Sequence, residues 1–122
     1  MSVILIVEDN EKNMKLVRDV LQFKGYQTLE AVTGNDGVRL AKEHKPDLVL
    51  MDIQLPDIDG ITALGQIRAD PGTKGIPVLA VSASVMPDDQ QRIAASGFDA
   101  FVTKPINVKQ FIETVERFVG KA

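Results

Sequence analysis

Apolar residues occur along this chain in two alternating rhythms. Val3-Ile4-Leu5-Ile6-Val7, Leu48-Val49-Leu50-Met51 and Val78-Leu79-Ala80-Val81 are short unbroken runs rich in β-branched side chains. Strands covered by helices on both faces read this way, because neither face meets water. Ala100-Phe101-Val102 is a shorter run of the same kind, and residues 27–32 alternate polar with apolar, which predicts an edge strand. Between these runs the spacing changes to three and four. Met14, Val17 and Leu21 form one stripe, with Gly25 as a helix stop, and Ile61, Leu64 and Ile67 form another. Thr33 caps a helix, with Asp36 three residues on completing a capping box. A fourth helix starts near Pro87, with Asp88 and Asp89 favourably placed against its dipole, and stops at Gly97. Asn107 caps the last, whose inner face is Phe111, Val115 and Phe118. Five βα units with short connections imply an α/β fold with a doubly wound, five-stranded parallel sheet and five helices, since right-handed crossovers leave few alternatives.

Ligands of open α/β sheets bind beyond the carboxyl ends of the strands. Here those ends carry Glu8-Asp9, Asp52 and Ser82, and the last strand leads to Lys104. Singly, most have an ordinary reading. Glu8-Asp9 can be first-turn helix acids, serine ends many strands, a loop lysine is usually solvated and Phe101 suits a core. Asp52, directly after a buried apolar run, is harder to explain as surface. Carboxylates about 4 Å apart repel by roughly 4 kcal/mol at an effective dielectric near 20. Such a rim needs a cation or a proton, and an all-oxygen acidic site suits Mg2+. A carboxylate beside that ion can attack phosphorus and form an acyl phosphate, and Lys104 and Ser82 are groups able to stabilise the charge that develops. His44 reads as a solvated helix-end residue.

Composition narrows the classes. The chain has 122 residues, the size of one domain, with 44% hydrophobic and 25% charged residues. It contains no cysteine, which excludes disulfides, thiol chemistry and cysteine zinc sites and suits a cytoplasmic setting. No apolar run approaches the roughly 20 residues of a membrane span, and no signal peptide is visible at the start. A net charge of -3 argues against a nucleic-acid binder.

Ile4-Leu5-Ile6-Val7-Glu8-Asp9-Asn10, Pro46-Asp47-Leu48-Val49-Leu50-Met51-Asp52, Leu55-Pro56-Asp57-Ile58-Asp59-Gly60, Val81-Ser82-Ala83 and Lys104-Pro105, in this order and spacing, resemble the receiver domain of two-component response regulators. The resemblance covers the whole chain and is greatest to stand-alone regulators of the cell-division type. It implies a flavodoxin-like (CheY-like) strand order 2-1-3-4-5 and a single receiver domain over residues 1–122 with no output domain. The implied function is a phosphorylation-dependent switch in a two-component system or phosphorelay, not an enzyme with separate turnover. Asp52 would take a phosphoryl group from a phosphohistidine on a histidine kinase or histidine phosphotransferase. Asp9, Asp52 and the Gln54 backbone carbonyl would hold Mg2+, with Glu8 acting through a water. Lys104, joined to Pro105 by a cis peptide, and Ser82 would contact the phosphoryl group. Ser82 and Phe101 would be the switch residues, and Gln54 and Ser84 would tune the rate of hydrolysis. A downstream protein would bind the face of the fourth helix, fifth strand and fifth helix; nucleic acid and membrane are not expected partners. Relative to the common pattern, Glu8 replaces aspartate, Ser82 threonine and Phe101 tyrosine, and no reacting group is lost.

Other readings are a receiver-shaped interaction module that is not phosphorylated, a metal-dependent phosphate-processing enzyme and a flavodoxin-like cofactor binder. Asp57-Ile58-Asp59 supplies the acidic pair of the enzyme reading, but it follows a proline and leads into Gly60, as a turn and helix cap do. Glu8-Asp9-Asn10-Glu11 would repel the phosphate of a flavin cofactor.

Overall fold

The computed structural model describes residues 2–83 and 86–121. Along it run β1 (Val3–Val7), α1 (Glu11–Phe23), β2 (Gln27–Ala31), α2 (Gly34–His44), β3 (Leu48–Asp52), α3 (Gly60–Ala69), β4 (Val78–Ser82), α4 (Pro87–Ala95), β5 (Ala100–Thr103) and α5 (Val108–Val119). The strands form one sheet in the order β2-β1-β3-β4-β5, each neighbouring pair parallel. The doubly wound α/β fold with five helices is thus as expected, and β2 lies at an edge.

Successive strand residues face opposite sides of the sheet, and the unbroken apolar runs serve both. Ile4, Ile6, Leu48, Leu50, Leu79 and Val81 pack with Met14, Val17 and Leu21 of α1 and with Phe111, Ile112 and Val115 of α5. Their alternates Leu5, Val7, Val49, Met51 and Val78 pack with Val38 and Ala41 of α2 and with Ala63, Leu64 and Ile67 of α3. Helix α4 is held more lightly, through Ile93 against Ala80 and Ile53. Strands β3 and β4 are buried at every position, so their last residues, Asp52 and Ser82, lie at the rim of a fully desolvated core.

Helix ends follow local chemistry. Side-chain oxygens of Asn10, Thr33, Asp59 and Asn107 accept the N–H groups of Asn13, Asp36, Thr62 and Gln110, each cap contributing about 1 kcal/mol. Pro87 opens α4, and Gly25 and Gly97 follow α1 and α4 at φ 95° and 104°, where a side chain would be strained. The exposed His44 ends α2. Some packing differs from the periodicity. The inner face of α3 is Gly60, Ala63, Leu64 and Ile67. Ile61 lies half-buried on its flank toward Ile93, because the small residues make the closest approach. On α5, Ile112 joins the buried face and Phe118 is only partly covered. Strand β2 ends at Ala31, leaving Val32 54% exposed.

Candidate functional site

Strand register assembles the acidic rim. Val7 of β1 is level with Met51 of β3, so the next residues, Glu8 and Asp52, come side by side. Asp52 is level with Val81, and Ser82 with Thr103, which brings Lys104 to the same edge. The Lys104 N–H donates to the Ser82 carbonyl at 2.9 Å, and the Glu8 N–H to that of Ala31 at 2.9 Å. Helix α1 begins only at Glu11, so Glu8 and Asp9 precede it and are not its first-turn acids.

Carboxylate oxygens of Glu8, Asp9 and Asp52 lie within 4.8 Å of one another. Glu8 and Asp52 are each 4% exposed and Ser82 5%, whereas Asp9 is exposed. Above them opens a cleft of about 570 Å³ that is also bordered by Asn10, Asn13 and Lys104. The Lys104 ammonium stands 2.8 Å from Glu8 Oε1 and 3.0 Å from Asp52 Oδ2. The Lys104–Pro105 peptide is cis, as the resemblance implied. Backbone N–H groups hold the carboxylates from behind: Asn10 donates to Glu8 Oε2 at 3.2 Å and Gln54 to Asp52 Oδ1 at 3.0 Å.

The electrostatics follow from this crowding. Burial first, then a side-chain hydrogen bond to Asp52, push Glu8 up to about 7, against the opposing pull of Lys104 and the Asn10 amide. Burial works against the Lys104 ammonium, but its bonds to Glu8 and Asp52 outweigh that effect and raise its pKa. One ammonium therefore does not satisfy the pocket: two buried acids share it, a third stands beside them, and Glu8 holds its proton well above the usual carboxylate range. Hard oxygen donors with surplus negative charge, open to water on one side, match what a divalent cation such as Mg2+ requires.

The remaining candidates are placed less centrally. Gln54 is exposed beside the cleft. Phe101 is half-buried, packing against Ile53, Ala80 and Ile93 and bordering a small cleft of about 80 Å³ with Gln110 and Thr114. Ser84 lies outside the described residues. The acidic pair Asp57 and Asp59 does not join the metal cluster. Asp59 caps α3, its Oδ1 accepting from Thr62 N–H at 2.7 Å. Asp57 reaches α2, accepting from Gly34 and Asn35 N–H at 2.8 and 2.9 Å. The phosphate-processing reading loses its pair to two helix ends. Asn10 and Asn13 were not foreseen at the cleft; the visible signal was an asparagine just before a helical stripe, a capping position.

Residues 4–116 match the response regulator receiver domain, and the chain belongs to that family, whose standard function is phosphorylation-dependent signalling. Proteins of this kind are signalling components and not classical enzymes. The chain is 45% identical over 119 residues to the polar-differentiation response regulator DivK of Brucella anthropi, covering 98% of this chain and 97% of DivK. Among solved structures it is similar to the receiver domain of a sensor histidine kinase from Pseudomonas aeruginosa, which has a magnesium ion coordinated in its active-site cleft. That likeness has a TM-score of 0.91 at 29% identity and covers 98% of both chains. The chemotaxis protein CheY4 of Vibrio cholerae shares the fold, with a TM-score of 0.90 at 24% identity over 97% of this chain and 98% of CheY4. No helix among the described residues is long and apolar enough to cross a membrane.

Proposed function

We propose that Asp52 is the phosphoacceptor of this receiver and that a histidine kinase or histidine phosphotransferase supplies the phosphoryl group. The observation that carries this reading is the contact of the Lys104 ammonium, 3.0 Å from Asp52 Oδ2, within a cluster of three carboxylates whose oxygens lie within 4.8 Å. An Asp52 oxygen forms the new bond to phosphorus as the donor's bond breaks, and the leaving group departs with its electron pair. Held at the end of a buried strand, with Oδ1 fixed by the Gln54 N–H, the carboxylate needs little reordering to attack. Lys104 exchanges carboxylate for phosphoryl oxygens without leaving the rim, and Ser82, at the tip of the neighbouring strand, donates its hydroxyl. Side chains of Asp9 and Asp52 with the Gln54 carbonyl would hold Mg2+, Glu8 acting through water, and the ion when bound supplies the positive charge that offsets the incoming phosphoryl oxygens.

Output is proposed to pass through the face of α4, β5 and α5, with Ser82 and Phe101 as its switch, to a downstream protein. Helix α4 suits this part because, among the described residues, Ile93 is the one side chain it buries fully. Gln54 and Ser84 are proposed to set the rate at which water removes the phosphoryl group.

The test is labelling with radioactive acetyl phosphate and Mg2+. Wild type should acquire a hydroxylamine-sensitive label, and Asp52→Ala none. Equal labelling of both would remove the assignment.

A further inference from the structure

We propose that Asp57 is a positioning residue for the metal-holding loop, clamping the β3–α3 connection onto the N-terminus of α2. This rests on the reading of Asp52 and Gln54 given above and adds a residue outside the acidic cluster.

The first N–H groups of a helix lack partners within it. In α2 each of the first three is accounted for by side chains. Thr33 Oγ accepts from Asp36 at 3.1 Å. The other two, Gly34 and Asn35, donate to Asp57 Oδ1 and Oδ2 at 2.8 and 2.9 Å. Asp57 is more than 20 residues away (separations of 23 and 22). A carboxylate bonded through both oxygens at the positive end of a helix has a fixed orientation as well as a fixed place. Those same N–H groups, Asn35 first, hold Asp57 below the usual carboxylate range, so the clamp stays charged at neutral pH. Packing backs it: a Cβ on Gly34 would come within 2.5 Å of Ile58 Cγ1, so the loop rests directly on the helix backbone.

The other end of this loop is fixed equally firmly. Ile53 N–H donates to the Val81 carbonyl at 3.1 Å, and Gly60 N–H to that of Ile53 at 2.9 Å. A Cβ on Gly60 would fall 2.4 Å from the Asp52 carbonyl oxygen. Only Leu55 and Pro56 separate Gln54 from the clamp, and proline cannot add a backbone N–H bond of its own. The direction of the Gln54 carbonyl, the proposed backbone ligand, is therefore set from both sides. Releasing Asp57 frees one side.

The experiment measures Mg2+ binding by calorimetry in wild type, Asp57→Ala, Asp57→Asn and Thr33→Ala, with thermal melting of each. Thr33→Ala weakens the same helix end without touching the loop and so reports what helix stability alone does. Outer groups that orient metal ligands typically matter by 10–100-fold, so Asp57→Ala is expected to bind Mg2+ about tenfold more weakly. Asp57→Asn, with one acceptor oxygen left, should recover part of the affinity, and Thr33→Ala should match wild type despite a lower melting temperature. Wild-type affinity in Asp57→Ala, or an equal loss in Thr33→Ala, overturns the clamp. A wild type that binds no Mg2+ overturns the metal reading itself, and the clamp with it.

Discussion

Glu8 should make the metal-free protein less stable as pH rises. Its folded-state pKa is raised from 4.5 to about 7, chiefly by burial and by its hydrogen bond to Asp52. The folded state then holds a proton that the unfolded chain has already released. Stability from this group is complete below about pH 4.5, falls as pH climbs through 7, and is level above that. A shift of this size corresponds to roughly 3 kcal/mol. Glu8 is buried in the rim but borders the open cleft, so solvent screening trims this figure. For a chain of this length the loss equals a fall of roughly 10 °C in melting temperature. The perturbation is Glu8→Gln, which keeps an oxygen for Lys104 and cannot ionise. The assay is urea unfolding in EDTA at pH 5, 6, 7 and 8. Wild type should lose stability across this range relative to the variant, and the variant should equal or exceed it at pH 8. Added Mg2+ should flatten the wild-type curve, because a bound cation favours the ionised form. Parallel curves for the two proteins in EDTA would refute the reasoning.

Two further outcomes follow from the same geometry. Lys104→Met removes the ammonium 2.8 and 3.0 Å from two buried carboxylates. It should cost about 3 kcal/mol at pH 8 in EDTA, less at pH 5 where Glu8 keeps its proton, and should abolish efficient labelling while leaving Mg2+ affinity at or above wild type, which calorimetry can check. Gly60→Ala sets a methyl 2.4 Å from the Asp52 carbonyl oxygen and 2.9 Å from Ile53 Cα. Backbone atoms cannot yield by changing rotamer, so urea melts should show a loss of about 1–3 kcal/mol despite the better helix propensity of alanine, with slower labelling of Asp52.

How legible this was depended on the length scale of each feature. The strands were readable because burial on both faces leaves unbroken apolar runs, and their ends fixed where Asp52 and Ser82 would lie. The convergence of Glu8, Asp52 and Lys104 followed once the fold rule put strand ends on one rim. The second role of Asp57 could not be read, since it depends on the distance between a loop and a helix that are remote in sequence. The same holds for Ile61: its spacing matched Leu64 and Ile67, but Gly60 and Ala63 let another face approach the sheet. Asp59 was legible because a cap bonds only three residues away.

In the proposed switch, phosphorylation can bias the protein only through bonds that differ between its two states. Lys104 already makes charge-assisted bonds to Glu8 and Asp52 before any phosphoryl group arrives. Moving it to phosphoryl oxygens replaces one such bond with another, so its net contribution to the equilibrium is small even though transfer depends on it. A hydroxyl from Ser82 donated to a phosphoryl oxygen is likewise a bond to a charged acceptor, worth about 1.5–3 kcal/mol where one state makes it and the other does not. That is roughly a ten- to hundredfold shift in population. Serine, lacking a branch at Cβ, surrenders more rotamer freedom than threonine when it makes this bond, and that loss trims the bias.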